Sequence, residues 1–349
     1  MSTWIIANPS HHRNIDQWRS SIDHAATIAG LPKLSWLFTT LDDPGDQATH
    51  YALSQGATHI IVAGGDGTVR TVGAALAHTG VRMTILPTGT GNVCARNLHI
   101  PLHSYVEALR LGTLPSTVTM DLCWLSMNED EACENISNTP TEQQVKNQQT
   151  HEHPFLIIAG IGYDAETMHR TTVRLKKHFG WSAYILAALR SITAQRFNAH
   201  IHWTPPVHKN SQNSGAHSNG QPRTRHTKVT GNTVMFVNCG RLPLATISPD
   251  SSHEDGRFEI VVANATMGVI GWATLGAKFL SHTLKMRPKN IHKDPGTLHY
   301  THAETAKLTT DRARLVHVDG DTIGRTRAVT IKVDHGAVLI SAPDTTAHS

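Results

Sequence analysis

Two short glycine-rich segments, about 20 residues apart, carry the most legible chemistry in this chain. In the first, the apolar run Ile60-Ile61-Val62-Ala63 stops at Gly64-Gly65-Asp66-Gly67-Thr68, and a helix-compatible stretch follows from Val69 and Arg70. In the second, Leu86-Pro87 gives way to Thr88-Gly89-Thr90-Gly91-Asn92, again before a helical turn. A buried strand that ends in glycines and feeds a helix is built to hold phosphate. Glycines let backbone N–H groups approach the oxygens, and a helix N-terminus adds partial positive charge. Thr90 supplies a hydroxyl, and Asn92 can cap the turn or orient a ligand. Asp66 would repel bare phosphates, so its presence predicts that Mg²⁺ accompanies them. Either segment alone also reads as a tight turn. Together, joined by one helix, they predict facing walls of a nucleotide site.

The elements that must position these loops alternate in type. Strands are predicted at 4–7, 34–38, 59–63 and 83–86, with helices at 16–29, 46–55 and 68–78 between them. This alternation predicts a parallel sheet with right-handed crossovers. Ligands of such sheets bind at the carboxyl ends of the strands. Asn8, Thr39 with Thr40, the first glycine loop and the second all follow a strand, so four loops are expected on one rim. After Asp121 short strand-like runs dominate, at 117–124, 155–159, 234–238, 258–263, 314–319, 329–333 and 338–340. They predict a mainly-β, sandwich-like second domain, with helices at 165–177, 180–194 and 266–286. The expected partition is an α/β domain over 1–121 and a β-rich domain over 122–343. Polar stretches at 128–153 and 208–228 read as insertions.

Composition is that of an ordinary globular protein: 349 residues, 39% hydrophobic and 17% charged. A net charge of +4 is too diffuse to argue for nucleic acid, yet suits a protein that approaches phosphates or an anionic membrane surface. Cys94, Cys123, Cys133 and Cys239 have no paired spacing and read as reduced thiols of a cytoplasmic protein. No signal peptide is visible and no run of about 18 apolar residues occurs. The 25 histidines lack zinc-site spacing.

Taken in order, the motifs resemble the catalytic family of diacylglycerol kinases, soluble bacterial lipid kinases similar to sphingosine kinases and more distantly to NAD kinases. Besides the two glycine loops, the likeness rests on Gly160-Ile161-Gly162-Tyr163-Asp164-Ala165, on Pro249 with Asp255-Gly256-Arg257-Phe258, and on Val318-Asp319-Gly320-Asp321. The resemblance implies an N-terminal domain like that of NAD kinase and phosphofructokinase, with the active site in the cleft between domains. It implies ATP contacts from Asn8, Pro9, Ser10, His11, His12, Thr40, Gly64, Gly65, Asp66, Gly67, Thr68, Val69, Arg70, Gly89, Thr90 and Asn92. Asp66 would help hold Mg²⁺. Asp321, where the family has a glutamate, and Asp319 would be the catalytic carboxylates. Asp255, with the carbonyls of Ser252 and Arg257, would hold a second, structural Mg²⁺. The implied reaction moves the γ-phosphoryl group of ATP to a lipid hydroxyl, diacylglycerol by default, at the inner face of a membrane that the protein touches transiently, and the resemblance allows a homodimer. An NAD kinase, a sphingoid- or ceramide-type kinase and a non-catalytic lipid or nucleotide sensor are the alternatives. Three departures bear on the choice: the first loop continues as His11-His12, Val93 stands where many relatives have an acid, and Asp321 is one methylene short of glutamate.

Overall fold

The computed structural model describes residues 2–128, 152–162, 196–206, 224–243, 245–266, 269–284 and 296–343. The first part runs β1 (Thr3–Ala7), α1 (Ile15–Ala29), β2 (Ser35–Phe38), α2 (Asp46–Ser54), β3 (His59–Gly64), α3 (Asp66–Ala75), β4 (Arg82–Pro87), α4 (Val93–Asn97) and α5 (Tyr105–Arg110). The strands pair in parallel in the order β2-β1-β3-β4. Every residue of β3 is buried, as a strand covered on both faces requires. The parallel arrangement brings all four strand ends, and the loops after them, to one rim.

The second part contains β5 (Thr117–Asn128), β6 (Glu152–Phe155), β7 (Ile158–Ile161), β8 (Phe197–Thr204), β9 (Arg225–Gly231), β10 (Thr233–Val237) and β11 (Phe258–Ala265). Helix α6 (Val269–Thr283) follows, then β12 (Gly296–Ala303), β13 (Thr305–Val318) and β14 (Asp321–Ser341). These strands surround a second core that includes Phe155, Phe197, Phe236, Phe258, Val316 and Val329. The two parts share one hydrogen-bonded sheet, because β14 returns to run parallel to β4 with Ile340 opposite Met83. β5 passes through residue 121, the expected domain boundary, without a break.

Several expected elements are redrawn. The single strand at 155–159 is two strands, β6 and β7, separated at Leu156 and Ile157 because a carboxylate takes the backbone N–H groups there. The two strands at 329–333 and 338–340 are parts of β14, which shifts register between Asp334 and Val338. Strands β8, β9 and β12 had no counterpart in the reading, and the last residues of the polar stretch 208–228 belong to β9. The helices expected at 165–177 and 180–194, Tyr163, Asp164 and Ala165 of the third motif, and most of both polar stretches lie outside the described residues. Helix α6 buries Trp272 and Leu275 against the strands while Ile270, Leu280 and Leu284 remain exposed. Among the described residues no helix is long and apolar enough to cross a membrane.

At the rim opposite the loops, His59 is buried with Thr84 and Ser341. Thr84 Oγ1 donates to Ser341 Oγ at 2.9 Å, which leaves His59 Nε2–H to donate to Thr84 Oγ1 at 2.8 Å. Burial, then the nearby Arg82 charge, lowers the His59 pKa to about 4. A histidine held neutral in this way stabilises the fold above its unfolded pKa near 6.5, and the contribution fades as pH falls towards 4. The cost of His59→Gln, measured by urea unfolding, should therefore be largest near pH 7.5. It should shrink by up to about 3 kcal/mol by pH 4.5.

Candidate active site

The two glycine loops touch. A Cβ on Gly89 would lie 2.5 Å from Gly65 Cα, so only a residue without a side chain fits there. A Cβ on Gly64 would sit 2.7 Å from Thr68 Cβ, which explains glycine at that position as well. Each loop is also closed on itself. Asn92, in the left-handed region at φ 48°, accepts from Gly89 N at 3.0 Å and donates to Gly89 O at 2.7 Å. The Asn92 side chain thus shapes the loop rather than facing out of it. Thr68 Oγ1 accepts from Asn8 Nδ2 at 3.1 Å, and Asn8 N donates to Ala63 O at 2.8 Å, so the ends of β1 and β3 are fastened together.

Asp66 links the loops from inside. Its Oδ1 accepts from Cys94 N at 3.0 Å, which supplies α4 with the cap its own Asn92 side chain does not provide. Burial raises the Asp66 pKa, and the N–H groups of the α4 N-terminus and the charge of Arg70 act against that rise. Arg96 Nε donates to Gly91 O at 3.0 Å. Thr90 is exposed, as are Thr40 and Ser10, while Pro9 opens a short 3-10 helix whose N-cap is Asn8. His12 stacks on Trp18 with ring centroids 3.8 Å apart. Val69 is buried beneath the loop.

The Asp-Gly-Asp element joins this rim from the other part of the chain. Asp319 and Gly320, with φ of 44° and 91°, are the two central residues of a tight hairpin turn between β13 and β14, the geometry that Asp-Gly favours. Arg70 spans the gap. It donates to Val318 O at 3.0 Å and to Asp321 Oδ2 at 2.9 Å, its own side chain 14% exposed against 48% for Asp321. A methyl group on Gly67 would lie 3.7 Å from Asp321 Oδ2. A solvent-accessible carboxylate is therefore held directly beside the first glycine loop.

The two carboxylates of the motif are not equivalent. Asp319 is buried, and its Oδ2 accepts from Leu156 N while its Oδ1 accepts from Ile157 N and Ile158 N, each at 2.9 Å. Burial pushes its pKa up to about 6, against the pull of Arg70 and the three N–H donors. Its lone pairs serve the fold, which leaves Asp321 as the carboxylate that can meet a ligand.

Asp255, Ser252 and Arg257 lie apart from this rim. Both Asp255 oxygens are engaged by Arg257, by Nε at 2.8 Å and by N at 3.2 Å. Among the described residues no three His, Cys, Asp or Glu side chains form a metal-binding group. What organises the turn is Asp121, which the motif reading missed. Buried completely, it accepts from Gly256 N at 2.7 Å, from His335 Nδ1 at 2.8 Å and from Gly336 N at 2.7 Å. Asn238 Nδ2 donates to Asp121 O and Leu156 O. An acid inside the apolar run Met120-Asp121-Leu122-Cys123 was the available signal.

Comparison with known proteins agrees with the motifs. Residues 2–125 match the family model of the diacylglycerol kinase catalytic domain. An uncharacterized protein of Synechocystis is 28% identical over 85% of this chain, and the match spans 58% of that protein's length. A protein of Bacillus subtilis named diacylglycerol kinase is 24% identical over 91% of this chain and 88% of its own. The crystal structure of a diacylglycerol kinase from Bacillus anthracis shares the fold, with a TM-score of 0.66, 21% identity and coverage of 99% of this chain and 98% of that one.

Asp319→Asn places an NH₂ group or a single weaker acceptor against three buried N–H donors. It should cost about 3 kcal/mol of stability, read as a lower urea midpoint. Gly89→Ala forces the loops apart and should abolish nucleotide protection in a thermal-shift titration.

Proposed function

We propose that this chain is an ATP-dependent lipid kinase that transfers the γ-phosphoryl group to the hydroxyl of a lipid acceptor, with diacylglycerol as the acceptor and phosphatidic acid as the product. The observation that carries this reading is the Asp321 carboxylate, tied to Arg70 and set beside Gly67 between two facing glycine loops. The names of relatives support the lipid class of the acceptor.

In the proposed reaction the acceptor oxygen attacks the γ-phosphorus, the bond to the β,γ-bridging oxygen breaks, and ADP leaves. The hydroxyl proton passes to Asp321. Phosphoryl transfer has a loose transition state, so the residues mainly position and neutralise. Backbone N–H groups at Gly64, Gly65 and Gly67 would cradle the phosphates, and Arg70 would keep Asp321 aimed at the acceptor. Mg²⁺ belongs to the substrate as MgATP and supplies charge neutralisation on the phosphates. Asp66 is the carboxylate at the loops, and because Cys94 N draws it inward, phosphate and water oxygens would provide most of the cation's shell.

The test is thin-layer separation of products from labelled ATP offered diacylglycerol in mixed micelles, a panel of other lipid alcohols, and soluble NAD. Labelled phosphatidic acid is expected. Asp321→Asn keeps an oxygen for Arg70 to bond and should lower kcat by ~10²–10⁴ while the protein stays folded, checked by circular dichroism. Near-normal turnover by the variant would remove Asp321 from the mechanism, and label in NAD alone would replace the acceptor class.

A further inference from the structure

A cavity of about 220 Å³ lies away from the glycine loops, where the C-terminal end of α4 meets the loop after β10. Asn97, His99, Arg241, His253 and Glu254 contribute to its wall. The junction is fixed by Asn97 Nδ2, which donates to Arg241 O at 2.8 Å and to Val93 O at 2.9 Å. The backbone of His253 is fixed as well, its carbonyl accepting from Asp121 N at 2.7 Å. His99 is held in the left-handed region at φ 55°. Three nitrogen-bearing side chains, from two segments far apart in sequence, thus border one small open groove, lined also by Leu98, Val118 and Pro343. None of the three nitrogen-bearing groups makes a side-chain hydrogen bond or ion pair among the described residues. The guanidinium of Arg241 is the permanent cation, and each imidazole can donate an N–H. Glu254 is the opposing charge and sets a limit on affinity.

We propose that this groove binds a phosphomonoester dianion, with Arg241 as the charged anchor and His99 and His253 as flanking donors. Forked guanidinium donors match two phosphate oxygens at once, and imidazole N–H groups complete the set. A space of this size has room for a tetrahedral oxyanion, free or at the end of a lipid. The site touches the same short helix whose first turn is capped by Asp66, so its occupant sits one helix away from the nucleotide loops.

Calorimetric titration of the full chain with sodium phosphate tests the site without any need for kinase activity. Arg241→Ala should weaken binding at least about tenfold, and His99→Ala should weaken it to a lesser extent. Glu254→Gln should strengthen it about two- to fivefold. Phosphate held at the glycine loops is not contacted by these three side chains, so the differences report this groove. Flotation with vesicles containing phosphatidic acid, against vesicles with matched phosphatidylglycerol, separates the sources. A preference for phosphatidic acid that Arg241→Ala removes assigns a lipid headgroup, and phosphate binding without that preference assigns the free ion. Phosphate affinity unchanged in both Arg241→Ala and His99→Ala, with no vesicle preference lost, overturns the proposal.

Discussion

The grip of the Asp319 carboxylate on three consecutive backbone N–H groups is the interaction on which the rest of the rim depends. Those donors, at Leu156, Ile157 and Ile158, would otherwise be orphaned inside the protein, because the chain there leaves β6 and has not yet entered β7. An anion that accepts three N–H bonds satisfies them at one stroke. The same residue is the first of the hairpin turn, so its side chain fixes one segment while its backbone reverses another. Val318 O and Asp321 are placed as a result, and these are the two groups that Arg70 binds. The order of dependence runs from a buried carboxylate, to a turn, to an exposed carboxylate.

The cross-chain link at Arg70 is the second constraint. Arg70 lies on α3, which starts at the first glycine loop, and its two bonds reach a hairpin about 250 residues away. The largely buried guanidinium is neutralised by a carboxylate and a carbonyl rather than by solvent, so parting the two elements would leave a charge without partners. The shared sheet is narrow at this junction: β4 and β14 are in register at one residue pair, Ile340 with Met83. That pair lies at the rim opposite the loops, beside Thr84 and Ser341, so at the glycine-loop rim it is the Arg70 side chain that ties α3 to the hairpin bearing Asp321.

Much of the α/β part was legible because its signals are local. An apolar run closed by glycines, with a helix behind it, reads the same in sequence and in space, and the four strand-end loops share a rim as the alternation required. What the motifs did not reveal was which polar atoms face outward. Asp66, Asn92 and Asp319 all read as ligand groups, yet each spends oxygens on backbone N–H groups: Cys94 for the first, Gly89 for the second, residues 156–158 for the third. The first and third of these bonds join residues distant in sequence, so no local pattern announces them, whereas the second closes its own loop over three residues. The split between β6 and β7 had the same origin: the run Phe155-Leu156-Ile157-Ile158-Ala159 is uniformly apolar, and its break is dictated by an acid 160 residues further along. Asp121 was passed over for the converse reason, since one acid in an apolar run gives a weak signal until its three donors are seen.

A common logic connects these carboxylates. Asp66, Asp121 and Asp319 each gather N–H groups from segments that regular secondary structure leaves unpaired: a helix start, two turns and a strand break. Loops that must approach a ligand closely cannot carry bulky side chains, as the contact between Gly65 and Gly89 makes plain, so they cannot be held by apolar packing. Charge-assisted bonds from beneath supply the rigidity that packing would supply elsewhere. Acidity at this rim is thus divided by depth. The buried aspartates keep the backbone in place, and Asp321, half exposed and bonded to Arg70, is left to act on whatever the loops bring to it.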